Sequence, residues 1–144
     1  MWLFFAFLSA VTAALVAIFG KLGLSQNINP TIATTVRSII MAIFLVTTVG
    51  VLVSIKKLDG FSLSAFGARD WLLIILSGVF GALSWLFYFV ALKQGPASSV
   101  AAIDRLSVVF VVMLAVVVLG ESLGWKAFLG AGIMMLGAFL ITLK

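Results

Sequence analysis

Residues 98–121 read SSVAAIDRLSVVFVVMLAVVVLGE, an almost wholly apolar run that carries two adjacent opposite charges, Asp104 and Arg105. The run is about as long as the 20 or so apolar residues that an α-helix needs to cross the hydrocarbon core of a bilayer. A charged side chain deep in such a helix costs roughly 2.5–3.5 kcal/mol on insertion scales. The stretch therefore predicts a membrane-spanning helix whose charges face a partner, a wet cavity or the interior of a helix bundle.

The rest of the chain has the same character. Of its 144 residues, 65% are hydrophobic and 9% charged, and the mean hydropathy is +1.38. Soluble proteins have about 45–50% apolar and about 25% charged residues. Loop signals separate five apolar segments, at about residues 2–20, 31–55, 71–92, 98–120 and 125–143. We find no internal repeat, so the sequence predicts an all-α integral membrane protein in which residues 1–144 form a single domain of five transmembrane helices.

Composition excludes several classes of function. The net charge is +5, but the nine basic residues form no long run, which argues against a nucleic-acid partner. The chain has neither histidine nor cysteine, so the commonest metal ligand and all thiol chemistry are missing. The four acidic residues lie far apart, and no glycine-rich phosphate loop follows a strand. We expect no enzyme activity, no cofactor and no metal site.

Five spans place the two termini on opposite sides of the membrane. We name the side of the N-terminus side A and the other side B. The basic residues that flank side A are Lys56, Lys57, Arg69 and Lys126, and those that flank side B are Lys21, Lys93 and Lys144. Orientation follows the Lys/Arg asymmetry of short loops, and four against three gives little instruction. The count is compatible with insertion in both orientations, and equally with one orientation fixed by the Lys56–Lys57 pair.

Two charges on different spans share one depth. Arg37 lies six residues into the second segment and Asp104 six residues into the fourth, which places both about 9 Å below side B. Adjacent helical positions point about 100° apart, so Asp104 and Arg105 cannot face the same neighbour. We predict that Asp104 faces Arg37, that Arg105 points to the cavity or reaches the side B interface, and that Lys21 lies at the rim. Whether this group is a fixed tether between helices or a binding site stays open at this point.

A further polar group lies in the third segment. Ser84 and Tyr88 are four residues apart and share a helix face, and Trp85 lies beside that face. These side chains could line a substrate pocket through hydroxyl and stacking contacts. Ordinary helix packing, with one aromatic ring near the interface, explains the same pattern.

Residues 87–141 read FYFVALKQGPASSVAAIDRLSVVFVVMLAVVVLGESLGWKAFLGAGIMMLGAFLI. This stretch resembles the closing half of an EamA-type repeat of the drug/metabolite transporter superfamily, in its GPAS turn, its LGE end and its glycine-rich last helix. AIFGKLGL at residues 17–24 and IATTVRSII at residues 32–40 resemble the first half. The motif IDRLSVVF is similar to the single-repeat bacterial and archaeal members. Longer relatives commonly have a proline near Ser107 or Val108, and its absence here leaves no sequence signal for a break in the fourth helix.

The resemblance implies a transporter whose full form has ten helices, arranged as two five-helix repeats of inverted topology around a central cavity. A five-helix chain would reproduce that design as an antiparallel homodimer in the cell inner membrane, with alternating access. The expected substrate is a small polar or amphipathic metabolite. Basic residues outnumber acidic ones around the predicted site, which favours an anionic group on it.

Other functions stay open at the level of sequence. Small multidrug-resistance exporters of cations are also short and dimeric, but they resemble four-helix chains with a glutamate in the first helix, and the first span here has no carboxylate. A non-transporting subunit of a larger membrane complex and a dual-topology channel are the remaining alternatives. The substrate, the coupling ion and the direction of transport are not encoded in any motif.

Overall fold

The computed structural model describes residues 1–24, 27–57 and 66–143. These residues form the helices α1 (Trp2–Gly23), α2 (Pro30–Ser54), α3 (Ala68–Gln94), α4 (Ala97–Asp104), α5 (Ser107–Leu119) and α6 (Trp125–Thr142). α4 and α5 follow each other within one span, so five segments are long and apolar enough to cross a membrane. The predicted all-α membrane fold with five spans is confirmed.

Local capping sets several helix ends. At the start of α2, the Asn29 side-chain oxygen Oδ1 accepts a hydrogen bond from the Thr31 backbone N–H at 2.9 Å, and Pro30 occupies the first helical position. Proline suits that position because its missing N–H would have no partner there. α5 ends at Gly120, whose φ of 68° lies in the left-handed region, and the Glu121 N–H donates to the Ala115 carbonyl at 3.1 Å. These capping signals are local in sequence, so the residues around each of these two helix ends are enough to predict it.

The chain divides into two compact units. Unit 1 comprises Met1–Gly23 and Ala91–Lys144, and unit 2 comprises Leu24–Val90. Within unit 1, α1 contacts α4, and α6 contacts both α4 and α5. The buried side chains of unit 1 are nearly all alanines, namely Ala17, Ala115, Ala131 and Ala138, together with Leu92. Small side chains allow helix backbones to approach closely in a membrane, where van der Waals packing replaces the hydrophobic effect.

Unit 2 contains α2 and the first 23 residues of α3. Among its described residues, the buried side chains are Thr34 and Phe89. Large apolar side chains elsewhere in the unit are exposed, for example Phe44 at 69% and Val46 at 72%. Such surface is compatible with a lipid environment, in which apolar side chains need no protein cover.

Eight hydroxyl groups in the spans are satisfied by their own helix. Each donates a hydrogen bond to a backbone carbonyl three or four residues earlier, at 2.6–3.0 Å. The residues are Thr12, Thr34, Thr35, Ser38, Thr47, Thr48, Ser54 and Thr142. This pattern removes the penalty for burying a hydroxyl in lipid. The charged side chains in the spans need a separate explanation.

Candidate functional site

Arg37 lies well inside the second span. It follows the first residue of α2, Pro30, by seven positions, which is about 10 Å along the helix axis. Its guanidinium carbon Cζ lies 3.6 Å from the centroid of the Trp85 ring and 5.6 Å from that of Phe89. A cation placed over an indole face makes the strongest type of cation–π contact. Within unit 2, this contact joins α2 to α3.

Three aromatic rings of α3 form a cluster, the aromatic platform, and Arg37 lies over two of them, Trp85 and Phe89. The Trp85 ring centroid lies 5.5 Å from that of Tyr88 and 6.1 Å from that of Phe89, and the Tyr88 and Phe89 centroids are 6.4 Å apart. Interplanar angles of 58–79° give edge-to-face and tilted pairs, the arrangements that aromatic quadrupoles prefer. The spacing i, i+3 and i+4 puts all three rings on one side of the helix. Phe89 is only 4% exposed and anchors the platform.

The sequence singled out Ser84, Trp85 and Tyr88 as one polar group. The structure brings Trp85 into contact with Arg37 and Tyr88 into contact with Trp85, whereas Ser84 is exposed on α3. Sequence reasoning missed Phe89, although its position four residues after Trp85 was a usable signal. It also missed that Trp85 is the ring that Arg37 contacts, because no sequence pattern reports which side chains of different helices meet.

Cation–π contact offsets part of the cost of placing Arg37 in the span. Such contacts are worth about 2 kcal/mol when desolvated, against roughly 2.5–3.5 kcal/mol for an arginine at the centre of a span. The guanidinium is half-buried, and among the described residues of unit 2 none accepts a hydrogen bond from it. Its face is thus occupied while its donor edge stays open within this unit.

Lys21 has a clear set of partners in unit 1. From the last turn of α1, its ammonium nitrogen Nζ donates to the backbone carbonyl of Leu92 and to that of Gly95, the latter at 2.8 Å. The last carbonyls of a helix lack intrahelical donors and carry the negative end of the helix dipole. Lys21 therefore caps the end of α3. Its predicted place at the rim of a site remains a prediction, and two of its three donors are already used.

The fourth span, predicted as one helix over residues 98–120, contains a two-residue turn at Arg105 and Leu106 between α4 and α5. The Leu106 N–H donates to the Ile103 carbonyl at 2.9 Å, three residues earlier instead of four, and the Val108 and Val109 N–H groups donate to Arg105 and Leu106 in the same way. Tighter bonds of this 3₁₀ type separate α4 from α5 without any proline. Mid-helix 3₁₀ turns often mark strain or a hinge, and no residue in IDRLSVVF signals one.

Asp104 and Arg105 differ in their surroundings. Asp104 is the last residue of α4 and is half-buried, whereas Arg105 lies in the turn and is exposed. This difference accords with the expectation that neighbouring helical positions face different surroundings. Asp104 belongs to unit 1 and Arg37 to unit 2. Their pairing stays a prediction from the shared depth in the sequence.

Comparison with known proteins agrees with this architecture. Residues 1–143 match the EamA-like transporter family. A protein of Sinorhizobium sp, named as an uncharacterized transporter in the cobO 3′ region, is 39% identical over 141 residues, which cover 98% of this chain and 96% of the relative. No solved structure matches the chain. The family match confirms the resemblance drawn from the GPAS turn, the DRLS motif and the glycine-rich last helix, and the chain is a multi-pass membrane protein that belongs to the EamA-like transporter family.

Proposed function

We propose that this transporter is a secondary carrier that moves a small polar or amphipathic metabolite across the cell inner membrane. The observation that carries the proposal is Arg37, a cation kept inside an apolar span on a built aromatic platform, in a chain of a transporter family. In-span charges of this kind usually mark a substrate or ion pathway. The platform supplies both a charge and an apolar surface, which suits a substrate with both characters.

We further propose that the working unit is an antiparallel homodimer. The family match covers residues 1–143, a stretch with five segments long and apolar enough to span a membrane, the number in one EamA-type repeat. Transporters with inverted repeats bind substrate near the bilayer midplane between the two repeats. Two oppositely inserted copies would supply that symmetry, and alternating access would then rock one copy against the other.

Transport itself is tested with purified protein in liposomes. We expect uptake of a radiolabelled metabolite to saturate as its concentration rises. Chemically related metabolites should compete with it for uptake. Ion current without saturation would identify a channel. Absence of any flux, with protein that remains folded and dimeric, would indicate a subunit that acts only with a partner.

Dual insertion is tested by the accessibility of a single cysteine appended after Lys144. Because the chain has no native cysteine, labelling reports that position alone. A membrane-impermeant maleimide applied to sealed inverted and right-side-out vesicles should label a comparable fraction from each face. Labelling from one face only would contradict the antiparallel dimer while leaving transport untouched. Adding two lysines beside Lys126 should shift the labelling towards one face, since loop charge sets orientation.

A further inference from the structure

The Arg37 contact with Trp85 uses one part of the guanidinium and leaves another part unused. The five N–H donors of arginine lie in the plane of the group, at its edges, whereas the cation–π contact involves its face. Among the described residues, every side-chain nitrogen or oxygen atom that is sealed from solvent has a hydrogen-bond partner. Arg37 is half-buried without such a bond in unit 2, so its donor edge is open to an incoming group.

Among the described residues of unit 2, no carboxylate lies near enough to balance the charge of Arg37. The described carboxylate of this unit is Asp70, which accepts a hydrogen bond from the Gly67 N–H at the opposite end of α3. Asp70 precedes Trp85 by 15 residues, about 22 Å along the helix. Coulomb attraction over that distance is too weak to stabilise a charge in the span. An anion that approached the open edge would supply both the missing hydrogen bonds and the missing charge.

We propose that the edge of Arg37 binds a single carboxylate group of the transported substrate, while Trp85 holds the guanidinium plane in place. The inference rests on the proposed transport function and names the substrate class. A planar fork of N–H donors fits a carboxylate with two parallel hydrogen bonds. One cation at the site balances one negative charge, whereas a phosphate of about two charges would carry excess charge into the span.

Trp85 acts as a positioning residue in this arrangement. Arginine has a long side chain with about 2 kcal/mol of rotamer entropy, and a ring 3.6 Å beneath Cζ restricts its plane. The buried Phe89 ring, 6.1 Å from Trp85, keeps the indole from turning away. A guanidinium oriented before binding loses less freedom when the carboxylate arrives. The guanidinium plane, and not only its charge, therefore contributes to affinity.

The test uses Trp85 as its own reporter. In full-length protein whose other tryptophans, Trp2, Trp71 and Trp125, are replaced by phenylalanine, Trp85 fluorescence is recorded in phosphatidylcholine nanodiscs during titration with sodium butyrate. The uncharged analogue butyramide and inorganic phosphate serve as parallel probes. We expect a saturable change with butyrate and at least about tenfold weaker responses to both other probes.

Variants identify the residue that binds. Arg37→Gln should weaken butyrate binding by about tenfold or more, and Arg37→Lys should fall between Arg37→Gln and the parent because it keeps the charge but loses the fork. Arg69→Gln removes the same charge near the other end of α3, where the side chain is exposed, and should bind butyrate like the parent. For Trp85→Leu, binding of radiolabelled butyrate replaces the fluorescence readout, and affinity should fall while Trp85→Phe retains most of it.

Each contrary result overturns the inference. Equal responses to butyrate and butyramide would show that charge is not recognised, and a stronger response to phosphate would assign the site to a different anion. Nanodiscs that contain phosphatidylglycerol separate a lipid headgroup from a free ligand, because loss of the butyrate response there would identify lipid as the occupant. If both Arg37→Gln and Arg37→Lys remain monodisperse and bind butyrate like the parent, the carboxylate lies elsewhere.

The two proposals fail in distinguishable ways. Saturable flux of uncharged metabolites that butyrate does not inhibit would overturn the carboxylate inference and leave the carrier function intact. Butyrate binding that depends on Arg37, without saturable flux of any carboxylate tested in liposomes, would support the binding site and contradict the carrier function.

Discussion

Replacing Lys21 with methionine is expected to lower the free energy of unfolding by about 2–5 kcal/mol, because two helix-end carbonyls lose a charged donor. The Lys21 ammonium group donates to the carbonyls of Leu92 and Gly95, and methionine keeps the length and the apolar stem of the side chain but donates nothing. Unfolding in mixed micelles with increasing sodium dodecyl sulfate, followed by circular dichroism, measures the change.

A matched substitution separates this effect from the loss of a positive charge. Lys126→Met removes a lysine that is exposed in the first turn of α6 and should unfold like the parent. Lys21→Arg keeps donors that reach carbonyls and should recover part of the lost stability. Unfolding of Lys21→Met at the same detergent ratio as Lys126→Met would mean that the two hydrogen bonds contribute no net stability.

Leu92→Ala is the second substitution with a large expected effect. Leu92 is completely buried, at 0% exposure, in the last turn of α3. Truncation of a buried leucine leaves a cavity and typically costs about 2–5 kcal/mol. The conservative Leu92→Met should cost less than about 1.5 kcal/mol, since it keeps the volume. The same unfolding assay in micelles provides the measurement.

The control for Leu92 is Leu140→Ala, at a position 66% exposed on α6, which should change stability little. Because the Leu92 carbonyl also accepts from Lys21, the double variant Lys21→Met with Leu92→Ala should lose less than the sum of the single losses. Strict additivity would show that the two contacts act independently. Equal stability of Leu92→Ala and Leu140→Ala would contradict the central position of Leu92 in unit 1.

Hydropathy predicts the spans of this protein well because membrane insertion is dominated by local composition. The start of α2 at Pro30 and the end of α5 at Gly120 follow from residues with special backbone properties. The interruption at Arg105 and Leu106 could not be predicted in the same way. There the backbone N–H groups bond to carbonyls three residues earlier instead of four, and no proline or glycine accompanies the change. The amino-acid sequence therefore contains no residue that would predict it.

The candidate site was predictable only in part. Arg37 stands out in any reading because a charge within an apolar span is costly and rare. Its contact with Trp85 depends on the relative rotation and separation of two helices, which are joined by a long connection. The acceptors of Lys21 were equally hidden, because they are backbone carbonyls that every residue possesses.

The sequence by itself determined the number of apolar segments that are long enough to span a membrane and the identity of the few charges within them. Each of these properties depends on residues that are close together along the chain, because insertion into a bilayer depends on the length and hydrophobicity of a contiguous segment. Only the tertiary structure decided which groups meet those charges: an aromatic ring beneath Arg37 and two helix-end carbonyls at Lys21. These contacts join residues 48 and 71–74 positions apart, and such distances close only when helices pack.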